Sequence, residues 1–178
     1  MKKSIYLSLL LIPMASTHAS VITSDTTSII SSGQSYNSSV TLSDTSYSNV
    51  VLDLEAKGDY GSFASENISF YIDGTLLADW TYSTSGITVT KNYSNYDYTL
   101  LGSVSISEAL WSSFTLDNIL DISWENDAKV DAYAYKGGAD YVTYSVQGDP
   151  ISVPTPASLA LLGLGLFGFG MARRKKSS

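Results

Sequence analysis

The feature that most constrains this chain is a two-residue hydrophobic alternation that keeps returning. Val50, Leu52 and Leu54 alternate with Asp53 and Glu55. Ile68, Phe70 and Ile72 alternate with Ser69, Tyr71 and Asp73, and Val104 and Ile106 with Ser103 and Ser105. Leu120, Ile122 and Trp124 alternate with Asp121, Ser123 and Glu125, and Val142, Tyr144 and Val146 with Thr143 and Ser145. In an extended chain successive side chains point to opposite faces, so each segment reads as a strand with one face buried. Asp73-Gly74 between apolar flanks is a hairpin turn, because both residues tolerate positive φ. The one helix expected is short, about Ser107–Phe114, with Ser107 as its N-cap. Many short strands without long helices predict an all-β fold: an antiparallel β-sandwich or jelly-roll-like domain.

The two ends of the chain read differently. MKKSIYLSLLLIPMASTHAS begins with Lys2 and Lys3, continues through an apolar run from Ile5 to Met14, and reaches small residues at 17 and 19. That layout is a secretory signal peptide, residues 1–19, with signal peptidase cutting between Ala19 and Ser20. The run is too short to span a bilayer. At the other end, residues 157–172 hold no charge, and Arg173, Arg174, Lys175 and Lys176 follow within a basic tail, 173–178. As a helix the uncharged run is about 24 Å long, slightly under a hydrocarbon core of about 30 Å. A single transmembrane helix with its basic end in the cytoplasm is the expectation. Gly163, Gly165 and Gly168 spell G-x-G-x-x-G, but a dinucleotide site needs a preceding strand and an acidic residue further on, and the sequence supplies neither.

These residues carry a resemblance. Val153-Pro154-Thr155-Pro156, then Leu159–Gly170, then Arg173–Lys176 together resemble the PEP-CTERM sorting signal of exported proteins in many Gram-negative bacteria. That signal joins a Val-Pro-Glu-Pro motif, a Leu/Gly-rich membrane helix and a basic end; Thr155 stands here where the family usually has Glu. The resemblance implies recognition by exosortase, a membrane-embedded processing enzyme, with removal of the tail near the motif. It also implies an association with exopolysaccharide and biofilm. Each proline fixes φ and disfavours helix before it, so residues 149–156 form an extended linker.

The domain between, residues 20–148, with its linker carries all 17 acidic residues but only Lys57, Lys91, Lys129 and Lys136 of the ten basic ones, a net charge of −13 (4 − 17). Such charge strongly disfavours nucleic acid or anionic lipid as a partner, and no nucleic acid is expected. The chain has no cysteine, and its single histidine, His18, lies in the leader. A Cys/His zinc site and His-dependent nucleophile systems are therefore absent from the domain.

Three chemistries remain. The first is calcium, which takes six to eight oxygen ligands. Asp59, Glu66 and Asp73 are expected to converge at one end of the sandwich, with Asp127 in a second acidic group of Glu125, Asn126 and Asp131. The stretch Leu52–Leu77 is similar to CUB-type sandwich domains, whose calcium ligands would correspond to Glu66 and Asp73. The plainer reading is a set of solvated acidic loops. The second is glycan binding. Twelve tyrosines follow the leader, among them Tyr93, Tyr96, Tyr98, Tyr133, Tyr135 and Tyr141. Tyr133 and Tyr135 fall opposite Val130, Ala132 and Ala134, where rings could stack on sugars; against this, tyrosine simply favours strands. The third is a glycosidase-type carboxylate pair, although 17 acids make some pair inevitable. The expectation is an exported, non-enzymatic surface or matrix protein in adhesion or exopolysaccharide association, with a carbohydrate-binding module or a small secreted glycosidase as alternatives.

Overall fold

The computed structural model describes residues 19–94, 96–132 and 138–151. Residues 1–18 of the expected leader, the sorting tail from 152, and Tyr133 and Tyr135 lie outside them. The elements in chain order are β1 (Ser20–Ser28), β2 (Ser35–Thr41), β3 (Tyr47–Asp59), β4 (Ile68–Ile72), β5 (Thr75–Trp80), β6 (Thr88–Tyr93), β7 (Asp97–Ser105), α1 (Glu108–Phe114), β8 (Ile119–Asn126) and β9 (Tyr141–Pro150).

The alternation does what it predicts. In β3, Leu52, Leu54 and Ala56 are fully buried while Asp53 and Glu55 between them stay half-exposed. The same holds for Leu120, Ile122 and Trp124 in β8 and for Val142, Tyr144 and Val146 in β9. Asp73 and Gly74 both take positive φ, 48° and 69°, and join Ile72 to its register partner Thr75. This is the backbone that a tight hairpin matching strand twist requires. Ser107 caps α1: its Oγ accepts the Leu110 N–H at 3.3 Å. The helix turns Trp111 and Phe114 into the core, and Trp111 Nε1 donates to the Thr45 carbonyl at 3.1 Å.

The strands form two antiparallel sheets, ordered β1-β9-β3-β7-β6 and β2-β8-β4-β5. Their buried residues make a single apolar cluster. Phe70 of β4 meets Tyr144 of β9 edge-to-face at 5.3 Å, so the two sheets touch through their inner faces. Pairing is nested. β1 pairs with β9, β2 with β8, β3 with β7 and β4 with β5, as if one long hairpin had been folded over; β6 is an added strand on β7.

Nesting sorts the loops to two ends. Ser20 is the partner of Gly148, and the Ile151 N–H donates to the Ser46 carbonyl at 2.8 Å, so the domain begins and finishes at one end, the tail end. The 73–74 turn and α1 lie there too. At the far end Ser28 faces Tyr141, Asp59 faces Asp97, and Ile68 faces Asn126. The loops after β1, β3 and β8 and the β6–β7 hairpin therefore gather at the far end.

Candidate functional site

The far end holds the unusual polar groups of the domain. The loop between β3 and β4 turns Tyr60 and Glu66 inward, and both are 0% exposed. The Tyr60 hydroxyl donates to Asn126 Oδ1 at 2.8 Å, tying that loop to the end of β8. Glu66 Oε2 accepts the Phe63 N–H at 2.9 Å, but Glu66 Oε1 and Asn126 Nδ2 are buried without a hydrogen-bond partner. Burial pushes the Glu66 carboxyl above the ordinary range; the bond from Phe63 opposes this, and the neighbouring Asp59 and Asp127 carboxylates add to it. Asp59 is raised by the same desolvation, against its hydrogen bond from Ser62 and with repulsion from Asp131, Asp140 and Asp97.

These couplings bring Asp59 and Asp127 close to Glu66, so Asp127, expected in a separate acidic group, stands beside the first. Asp73 is not with them. It comes after β4 whereas Glu66 precedes it, and a five-residue strand is about 17 Å long. Asp73 instead exchanges two hydrogen bonds with the Asp121 backbone, both 2.8 Å, and its carboxyl is raised by burial against the Asp121 bond. The expected convergence of Asp59, Glu66 and Asp73 is thus corrected. Asp127 Oδ1 accepts its own loop's Lys129 N–H, and Glu125 turns outward to the Tyr71 hydroxyl. Among the described residues no three of His, Cys, Asp and Glu are arranged to hold a metal ion.

A second far-end cluster has no sequence signal. Alternation puts Lys57 on the outer face of β3, yet it is only 7% exposed. Its Nζ donates to the carbonyls of Gly138 and Ala139 at 3.2 and 3.1 Å and to Asp140 Oδ1 at 3.2 Å. Asp97 Oδ1 lies 3.7 Å away. The three residues come from distant parts of the chain, so only strand pairing could have revealed them.

Tyr133 and Tyr135 lie outside the described residues. Other tyrosines line the far end. Tyr93 and Tyr96 meet edge-to-face at 6.3 Å across the β6–β7 hairpin, with Tyr96 40% exposed. Tyr82 and Tyr98 stack at 5.7 Å. Beside them Asn92 Nδ2 donates to Thr99 Oγ1 at 2.8 Å and to Asp97 Oδ1 at 3.3 Å. Such a hairpin offers aromatic faces with amide, hydroxyl and carboxylate groups at their rim.

At the tail end the chain leaves a strand that is hydrogen-bonded on both sides, by β1 and by β3. The segment beyond β9 defines the class of protein: an exported chain with a C-terminal sorting segment. Residues 152–175 match the family model of the PEP-CTERM protein-sorting motif, and the chain is a PEP-CTERM-containing protein. The motif implies an exported protein sorted by exosortase, a membrane enzyme, and passing through the membrane towards the cell surface. Val153, Pro154, Thr155 and Pro156 and the basic residues 173–175 fall within the match; the expected span, 157–172, does too. No helix among the described residues is long and apolar enough to cross a membrane. No curated protein and no solved structure matches the chain.

Proposed function

We propose that this protein is a non-enzymatic surface or matrix protein: a jelly-roll β-sandwich exported by a signal peptide, held briefly by its C-terminal helix, and released to serve adhesion or exopolysaccharide association. The observation that carries this reading is the sorting motif at 152–175, placed directly after the last strand. Nested pairing of eight strands supports the jelly-roll assignment. Cleavage between Ala19 and Ser20 is supported by the start of β1 at Ser20, since the cut would leave that strand whole. The far end, opposite the tail, is the face such an anchor would present outward. Its carboxylates disfavour polyanionic partners, so a neutral polysaccharide is the partner class we favour.

The second reading is a carbohydrate-binding module with a defined glycan, and the Tyr93–Tyr96 pair is the observation in its favour. Both readings meet one experiment. The full chain, captured on beads, is titrated with the polysaccharide of its host and with a panel of neutral glycans. Loose association gives weak retention of host polymer that survives Tyr93→Ala and Tyr96→Ala separately. A defined module gives saturable binding to one glycan that either substitution abolishes. No retention of any polysaccharide would sink the matrix reading.

A further inference from the structure

Lys57, Asp97 and Asp140 form a buried group at the far end, beside the β6–β7 hairpin, whose second strand Asp97 begins. Their side chains are 9%, 14% and 4% exposed. A buried ion pair carries a desolvation cost that mutual attraction only partly offsets. Here one ammonium faces two carboxylates, Asp140 at 3.2 Å and Asp97 at 3.7 Å. The amine and the Asp140 carboxyl sit within reach of bond formation, and a second carboxylate sits beside the same nitrogen.

We propose that Lys57 and Asp140 condense into an intramolecular isopeptide bond, with Asp97 as the proton carrier. The step balances without any co-reactant. A proton passes from Nζ to the Asp140 carboxyl, and the freed Nζ lone pair attacks Cγ. Asp97 takes a second proton from nitrogen and delivers it to the departing hydroxyl. The Nζ–Cγ bond forms, a Cγ–O bond breaks, and one water leaves. Two buried charges become one neutral amide, which removes the desolvation cost of the pair. The remaining N–H keeps a carbonyl partner from Gly138 or Ala139.

The position gives the bond a use. Asp140 immediately precedes β9, the strand that runs into the sorting tail, and Lys57 lies on the neighbouring β3 opposite Tyr141. A covalent link there fixes the far end of β9 to the sheet, so fraying of that strand from its Pro150 end cannot run past Asp140. The chain has no cysteine and so makes no disulfide to do this.

The test is mass. The full chain is purified from expressing cells, its two termini are defined by peptide mass spectrometry, and its mass is measured under denaturing conditions. The bond predicts a mass one water below that of the chain, and a branched peptide joining Lys57 to Asp140 after digestion. The full mass would show an ion pair only and overturn the proposal. A missing water traced instead to Asp73-Gly74, a sequence prone to dehydrate to a succinimide, would overturn it equally. Lys57→Arg keeps the cation but cannot form this amide, so it is expected at full mass. Asp97→Asn is expected to leave most of the protein unlinked; complete linkage in that variant would overturn the part given to Asp97.

Discussion

Ser20, the first residue of β1, is the register partner of Gly148, two residues before the end of β9. The two ends of the domain, to which the expected leader and the sorting segment are joined, therefore lie side by side. A chain inserted in a membrane at both termini can keep its domain on one side without threading it. On the proposed reading, cutting the leader leaves the same end closest to the bilayer, because the five residues from 152 to 156 reach at most about 18 Å.

That arrangement predicts unequal access before the tail is removed. The chain has no cysteine, so single introduced thiols report cleanly. Ser31→Cys, exposed in the loop after β1, is expected to react rapidly with a membrane-impermeant maleimide in the anchored precursor. Ser43→Cys, exposed in the tail-end loop after β2, is expected to react more slowly until the tail is cut, and then equally. Equal rates throughout would contradict the placement of the tail end against the membrane.

Two glycines separate backbone strain from packing. Gly74 has φ of 69° and open space around the position of an added Cβ, so Gly74→Ala is expected to cost about 1 kcal/mol from conformation alone. At Gly102 an added Cβ would lie 2.7 Å from Ile87 Cγ2 and 3.0 Å from the Trp80 ring, so Gly102→Ala is expected to cost about 1–3 kcal/mol through overpacking. Urea unfolding measures both. Relief of the Gly102→Ala defect by Ile87→Ala, with none for Gly74→Ala, would confirm the distinction.

Tyr60→Phe removes one hydroxyl and strands another group. Asn126 Nδ2 already lacks a partner, and loss of the tyrosine would leave Oδ1 without one as well. The expected loss is about 1–3 kcal/mol, because an abandoned buried acceptor costs its desolvation. Adding Asn126→Leu, which removes the stranded amide, should recover part of it. A Tyr60→Phe protein as stable as its parent would show that water serves the site.

The buried carboxyl of Glu66 links stability to pH. Its affinity for a proton is higher in the fold than in the unfolded chain, chiefly through burial. Its contribution is then fully present below the ordinary glutamate range of about 4 to 5 and is lost as pH rises through the elevated folded value. Asp59 and Asp73, both raised, act in the same direction. Glu66→Gln is expected to be more stable than the parent near neutral pH, with the difference shrinking as pH falls. Denaturant melts across that range check this, and a difference independent of pH would contradict it.

The strands legible from sequence were those with a fully buried face. β3, β4, β8 and β9 alternate large apolar side chains against polar ones, and the structure buries them as written. β1, β2 and β6 gave no such signal. They are sheet edges with no fully buried residue, built largely of Ser, Thr and Asn. Strand pairing, not inward packing, holds them extended, and that is invisible to periodicity. The site was partly legible. Asp59 and Glu66, flanking one loop, were read together, but Asp127 was set in a separate group because its nearness to Glu66 depends on strand pairing. Asp73 was misplaced although the signal against it was present: the Ile68–Ile72 strand lies between it and Glu66. Lys57, Asp97 and Asp140 could not be found from sequence, since their meeting depends on which strands pair.

The central claim is that the sorting segment is an address that is used and then removed. A tag inserted after Ser20 and another after Ser178 would follow the two parts of the chain in fractionated cells of its host, with the mature C-terminus read by mass spectrometry. The account predicts the domain outside the membrane, ending between Val153 and Pro156, with the tail tag left behind. One intact chain carrying both tags in the membrane fraction would contradict it, and would make Thr155 the first residue to restore to Glu.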